Sequence, residues 1–389
     1  MRAAVLKAEW SPRPGYKLTE EESRTRKVKM GSRVWRNPKL ELEDIPVPEL
    51  GPYEVLVRVK ACGICGSDIH MVETDGEGYM LYPGLTKLPV VPGHELSGVV
   101  EKIGSKVTAV KPGDMVMSEE MLWCGRCYYC RSGFLNQCVN LEELGFTLNG
   151  GFEEYFKVDE KYLWKIDSLL NAYKTEDAAY EAGSLVEPTA VSYNAMFIRA
   201  GGFKPGAYVV VWGTGPIGLA AIQLAKAAGA ARVIAFEVIK DRREIAKLVG
   251  ADYVFDPVEL TNNGVRPYEK VLELTDGMGA DMHVEAAGAP DKTLPEMERS
   301  LAVGGKIAWI GRADREAPLF AEYLQVRWSQ IYGSQGHSGN EVFPRVIRLM
   351  ASGRIDMRKI ITARFKLDEI NKAFEKAHKR IDAKITIKP

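Results

Sequence analysis

Four of the chain's six cysteines fall within the stretch "CGRCYYCRSGFLNQC", at Cys124, Cys127, Cys130 and Cys138. Two short spacings and one longer return let four thiolates converge on one ion and close a tetrahedral zinc site. Where thiols are kept reduced, closely spaced cysteines bind metal more often than they pair as disulfides. A cluster of free or disulfide-bonded cysteines is the competing reading. Four protein ligands leave no open position for a substrate, so this lobe, residues 119–140, reads as structural. Any chemistry belongs elsewhere.

Two segments nearer the N-terminus carry a different donor set. "CGICGSDIH" offers Cys62, Cys65, Ser67, Asp68 and His70, and "PGHE" offers His94 and Glu95. A thiolate, an imidazole and a carboxylate from separate segments suit an open, catalytic zinc. Each of them taken alone is as readily a packed core residue.

A third signal follows a run of apolar residues. "VVVWGTGPIG" sets Gly213, Gly215 and Gly218 in a GxGxxG pattern, with Pro216 and Ile217 opening the helix between them. These glycines permit a tight turn, a close approach to a pyrophosphate and a close helix–strand packing, and the helix N-terminus faces the anion. Glu237 ends the next strand, where a carboxylate accepts from the ribose hydroxyls and repels a 2′-phosphate, so NAD is expected over NADP. Arg242 lies just beyond and is expected at the cofactor; Lys240 reads as an ordinary helix start.

The elements that must hold these groups divide into two textures. Residues 1–188 alternate short β-rich runs with Gly and Pro turns, as in "VVPGHELSGVVEKIGSKVTAVKPGDMVM", which predicts a partly open β-barrel. Within them, residues 10–38 form a polar, charged insertion, read as a surface excursion whose Trp and Tyr could pack on the body. Residues 189–339 alternate strand and helix, which predicts an α/β fold with a doubly wound parallel sheet. Residues 340–389 are expected to rejoin the first domain.

Composition excludes other classes. The 52 Lys and Arg balance 52 Asp and Glu, so nothing draws the chain to nucleic acid or an anionic membrane. No apolar run is long enough to span a bilayer, and "MRAAVLKAEW" lacks the core of a signal peptide, so a cytoplasmic protein is expected.

In this order, "GHE", "KPGDMV", the cysteine lobe, "GGFEEYFKV" and "GTGPIG" make the chain resemble the zinc-dependent medium-chain alcohol and polyol dehydrogenases, with a GroES-like catalytic domain and a Rossmann domain. The resemblance covers nearly everything but residues 10–38. It implies two zinc ions per chain, NAD, and a homo-oligomer, tetramer or dimer. The motif C-x-S/T-D-x-H marks Cys65, not Cys62, as the first catalytic-zinc ligand, with His94 second. "SLVEPTAVSYNAM" has Glu187 where ethanol-oxidising members supply a cysteine, which resembles the sorbitol and threonine dehydrogenase branch, whose zinc takes Cys, His and the Glu of GHE. That makes Glu95 the third ligand, with Glu187 holding the zinc's water or binding the metal itself. "EEMLWCG", "ETDGEGYMLYPGLT" and "GSQGHSG" resemble a cyclitol-oxidising subgroup, implying a small polyhydroxylated substrate. Ser67 and His70 are then candidates to carry away the hydroxyl proton, with a structural hydrogen bond the alternative for His70. Oxidation of threonine or an open-chain polyol, and an inactive NAD-binding module, are the competing readings.

Overall fold

The computed structural model describes residues 1–313 and 316–389. The chain enters through β1 (Arg2–Trp10) and β2 (Trp35–Asp44), which pair antiparallel. It continues through β3 (Glu54–Gly63), β4 (Glu95–Ile103) and β5 (Met115–Ser118). Short strands β6 (Met121–Leu122) and β7 (Glu142–Glu143) pair across the base of the cysteine lobe, and β8 (Tyr155–Asp159) and β9 (Leu163–Lys165) follow. Next come β10 (Tyr208–Trp212), β11 (Arg232–Phe236), β12 (Tyr253–Phe255), β13 (Ala280–Glu285), β14 (Leu301–Trp309) and β15 (Gln330–Gly333). The last two strands are β16 (Ile361–Lys366) and β17 (Lys384–Lys388).

These elements sort into two compact units. One comprises Met1–Glu187, Ala363–Arg380 and Lys384–Pro389; the other comprises Pro188–Thr362 and Ile381–Ala383.

The first unit is built on a seven-stranded sheet in the order β16-β17-β3-β4-β5-β9, with β8 also paired to β3. Its ladders onto β3 and β4 are antiparallel. Val55, Val57 and Val59 of β3 are buried with Phe152, Phe156 and Ile385, so a period-two pattern supplies the core of this barrel. Residues 10–38 pack on the body through Trp35, Trp10 and Tyr16, as their aromatic residues allowed, and go further than a surface excursion. Val28 and Val34 are fully buried and Trp35 is 3% exposed, because under its charged surface the insertion adds apolar side chains to a core shared with Leu6, Met80 and Phe146.

The second unit holds six parallel strands in the order β12-β11-β10-β13-β14-β15, the doubly wound arrangement. Val209, Val210 and Val211 have no exposure, as a strand covered on both faces requires. Strands β12 and β15, short and partly exposed, left no clear apolar run in the sequence. Residues 340–362, expected with the first domain, cluster with this unit instead. The helix Val342–Ala351 buries Val342, Phe343, Val346, Ile347 and Met350 on one face, and Asp356 N donates to Gln223 Oε1 at 2.7 Å. His283 lies in β13 with no exposure; its Nδ1 accepts from Trp212 Nε1 at 3.0 Å, and burial drives its pKa down to about 3.

Candidate active site

In the first unit, Cys65, His94 and Glu95 each offer a ligand atom, and these atoms lie within 4.8 Å of one another. Three elements achieve this. Cys65 caps the helix Gly66–Val72, which starts where β3 ends; His94 closes an irregular loop; Glu95 opens β4. Asp68, with no exposure, ties the ligand-bearing segments together. Its carboxylate accepts from Cys65 N at 2.8 Å and from Gly93 N at 3.1 Å, and faces His94 Nδ1 at 3.6 Å. Burial opposes charge on His94, but Asp68 and Cys65 outweigh it and raise the imidazole well above its usual range. A soft thiolate converging with a buried imidazole and a buried carboxylate fits a zinc ion. Cys62 is fully buried in β3 and stands outside this group.

Two neighbours of the site escaped the sequence reading. Lys384 of β17 is fully buried and donates to Glu95 Oε1 at 2.6 Å and to Ile64 O at 2.9 Å. Burial favours its neutral form, yet the Glu95 carboxylate prevails and raises its pKa. The second is Glu120. Glu187, 4% exposed, does not join the Cys65 group; its carboxylate instead comes within 4.8 Å of that of Glu120. Burial and neighbouring Glu143 hold the Glu120 carboxyl well above the usual carboxylate range, which favours its neutral form. One available signal was its place between apolar residues in "MVMSEEML"; for Lys384 it was a lone lysine opening the apolar "KITI".

Ser67 and His70 lie on the helix Gly66–Val72, both partly exposed. His70 Nε2 stands 3.9 Å from Glu73 Oε2, which also takes Arg380 Nη2 at 2.7 Å. Burial and the Arg380 charge lower the His70 pKa, which favours the neutral ring. His378 is half exposed and has Nδ1 3.0 Å from Glu73 Oε1.

The four lobe sulfurs of Cys124, Cys127, Cys130 and Cys138 form a second group within 4.8 Å, with no disulfide among them. Cys124 N and Cys127 N point at neighbouring sulfurs, at 3.3 and 3.4 Å. Backbone N–H groups of Arg126 and Cys127 pull the Cys124 thiol down to about 6, which favours the thiolate a metal needs.

In the second unit, a cavity of about 710 Å³ is lined by Gly213, Gly215, Glu237 and Arg242, among others. Gly213 turns at φ +84°, and a Cβ on Gly218 would meet Gly213 O at 1.9 Å. Those contacts demand glycine. Pro216 and Ile217 begin the helix Pro216–Ala227 and do not line the cavity; Ile217 O accepts from Ser192 Oγ at 2.7 Å. Glu237 Oε2 accepts from Thr214 N at 2.7 Å and Thr214 Oγ1 at 3.1 Å, and Oε1 accepts from Ile239 N at 2.9 Å. Besides facing the cavity, it therefore pins the glycine loop. Arg242 Nη1 is the nearest atom to a Cβ built on Gly215, at 3.9 Å. A dinucleotide fits this donor set: an open backbone at Gly215, a helix N-terminus and a carboxylate.

Comparison with known proteins agrees with both units. The family model of the alcohol dehydrogenase GroES-like domain matches residues 51–168, and that of the zinc-binding dehydrogenases matches residues 216–352. The chain is 49% identical over 381 residues to scyllo-inosose 3-dehydrogenase of Thermotoga maritima, covering 95% of each. It is 35% identical to L-threonine 3-dehydrogenase of Pyrococcus horikoshii, covering 86% of this chain and 91% of the other. Among solved structures, 2R,3R-butanediol dehydrogenase from Bacillus subtilis superposes with a TM-score of 0.79 at 29% identity, covering 100% of this chain and 99% of the other.

Proposed function

Because the chain belongs to the zinc-binding dehydrogenases with a GroES-like domain, we propose that it oxidises a secondary hydroxyl of a cyclitol, with scyllo-inosose the leading substrate, and passes the hydride to NAD. The observation that carries this is the convergence of Cys65 with the buried His94 and Glu95. The cyclitol assignment follows the relative at 49% identity; the relatives named for threonine stand lower, near 35%.

Cys65, His94 and Glu95 would hold the catalytic zinc, and the four lobe cysteines a structural one. When bound, zinc supplies the acidity that makes a secondary hydroxyl a hydride donor near neutral pH, and the nicotinamide supplies the acceptor. The chain's own groups do the rest. Asp68 orients His94 from behind, as carboxylates do for metal-bound imidazoles. Lys384 balances the charge of Glu95. Ser67 takes the hydroxyl proton, and the neutral His70 ring receives it and releases it at the surface. Glu187 and the neutral Glu120 carboxyl offer an acceptor and a donor for a substrate rich in hydroxyls. Gly213, Gly215, Gly218 and the helix opened by Pro216 and Ile217 receive the pyrophosphate, with Glu237 and Arg242 at the adenosine ribose. No helix among the described residues is long and apolar enough to cross a membrane. The working form is a homo-oligomer, dimer or tetramer.

The test is NADH formation from the purified protein with scyllo-inosose, myo-inositol, sorbitol, xylitol and L-threonine. The expected result is the highest kcat/KM with a cyclitol. Preference for threonine would move the chain to the other branch. No turnover with any panel member, in protein that carries metal, would overturn the cyclitol and polyol reading.

A further inference from the structure

Residues 10–38 take no part in the chemistry above, yet they are packed against it. Val28, Val34 and Trp35 share one apolar core with Met71, Met80, Tyr82, Leu88 and Phe146. The contact is not only apolar. Val28 and Thr86 exchange backbone hydrogen bonds at 2.8 and 2.9 Å, Ser32 N donates to Tyr82 O at 2.8 Å, and Trp35 Nε1 donates to Thr86 Oγ1 at 3.1 Å in a buried contact.

The strap that receives them, residues 79–88, is tied in turn to the helix that follows Cys65. Leu81 N and Tyr82 N both donate to His70 O, at 3.1 and 3.0 Å. From Tyr82 a column of rings runs inward. Tyr82 stacks on Phe146 with centroids 4.8 Å apart and planes 24° apart, and Phe146 meets His94 at 4.9 Å and 37°.

The last ring of that column matters because it packs on the face of His94, while Asp68 acts only on one edge of the ring. The terminal torsion of histidine is broad, so rotamer preference alone leaves the imidazole free to swing. Among the described residues its Nδ1 has no partner within 3.5 Å, and Asp68 stands just outside that at 3.6 Å. Electrostatic attraction to Asp68 draws one edge of the ring; the face of Phe146 limits its tilt.

We propose that residues 10–38 buttress the metal centre: through Trp35, Thr86 and Tyr82 they hold the Phe146 ring against His94, which makes Phe146 a positioning residue for the coordinating imidazole. This rests on the reading of His94 as a metal ligand.

The test uses the zinc-loaded full chain and a metallochromic chelator, with cobalt substitution as a second readout. Phe146→Leu removes the flat ring and keeps apolar bulk. It is expected to speed release of one of two zinc ions about tenfold, the scale of losing an outer support, and to shift the visible cobalt bands. Release of the other ion stays unchanged. Phe146→Tyr keeps the ring and should match wild type. Trp35→Phe, a milder change that removes the bond to Thr86, should move release in the same direction. If Phe146→Leu and Trp35→Phe melt earlier but release zinc at the wild-type rate with an unaltered cobalt spectrum, the segment is packing alone and the proposal is overturned. Should Cys65→Ser retain both ions, the assignment of the metal site fails first, and the buttress fails with it.

Discussion

Lys384 Nζ reaches Glu95 Oε1 at 2.6 Å across an intervening strand, and neither side chain is more than 1% exposed. Gly63 of β3 pairs with Glu95 on one side and with Thr386 of β17 on the other. A Cβ on Gly63 would stand 2.2 Å from Glu95 Oε2 and 3.2 Å from Lys384 Cδ. The missing side chain is the gap through which the two charges meet. The two groups are thus placed to pair, Lys384 favouring the ionised form of Glu95 against the burial that raises its pKa.

Removing one partner leaves a buried charge uncompensated. Lys384→Met is expected to lower stability by about 3–5 kcal/mol and to loosen the catalytic metal. In the double variant Lys384→Met, Glu95→Leu, stability should return while the metal is lost. Denaturant unfolding combined with metal analysis checks both, and a Lys384→Met protein as stable as wild type would refute the pairing argument. Gly63→Ala should resemble Lys384→Met.

Two zinc ions of unequal lability are expected per chain. The lobe ion should resist a chelator, and the ion at Cys65 should leave with loss of activity. Cys127→Ser should lower the melting temperature, whereas Cys65→Ser should abolish turnover and keep the fold. Elemental analysis showing one zinc or none in fully active protein would contradict this.

Glu237→Ala should raise KM for NAD and improve the relative use of NADP. Because Glu237 also accepts from Thr214 N, the variant leaves a buried donor without its partner, with an expected stability loss of about 1–3 kcal/mol. Thr214→Val separates the roles: it perturbs the loop and should leave the NAD/NADP ratio intact. Faster turnover of wild type with NADP at equal concentration would overturn the specificity reading.

Glu187→Gln keeps the shape of the side chain and removes its charge. The expected result is a fall in kcat on the order of 100-fold with NAD binding preserved. If the variant is instead destabilised with near-normal kcat, Glu187 serves the first turn of the helix Val186–Tyr193 and not the reaction.

His283 predicts an acid-side stability slope. Its folded pKa of about 3 lies below the roughly 6.5 of an unfolded chain, so the unfolded state binds the extra proton between those values. Its contribution is complete above pH 6.5 and is lost as pH falls toward 3, by at most about 1.4 kcal/mol per pH unit. His283→Asn, which can still accept from Trp212 Nε1, should flatten that slope in melts from pH 7 to 4. An unchanged slope would assign it to other groups.

Much of this protein is legible in its sequence because the signals are local. The cysteine lobe, the loop from Gly213 to Gly218 and the motif from Cys65 to His70 each fit within fifteen residues, where spacing alone constrains geometry. The parallel sheet showed itself as apolar runs, since strands covered on both faces need no alternation. What the tertiary structure decided is the company these motifs keep. Lys384 lies 289 residues from Glu95, and no periodicity links them; the pairing of β17 and β4 on either side of β3 does. Little in the sequence singles out Glu120, whose burial beside Glu143 raises its pKa. The insertion read as polar because charged residues dominate it, yet packing is decided by a few apolar side chains, and Val28, Val34 and Trp35 suffice to fold it inward. Short motifs encode which atoms can do chemistry; long-range burial decides their charge and their orientation.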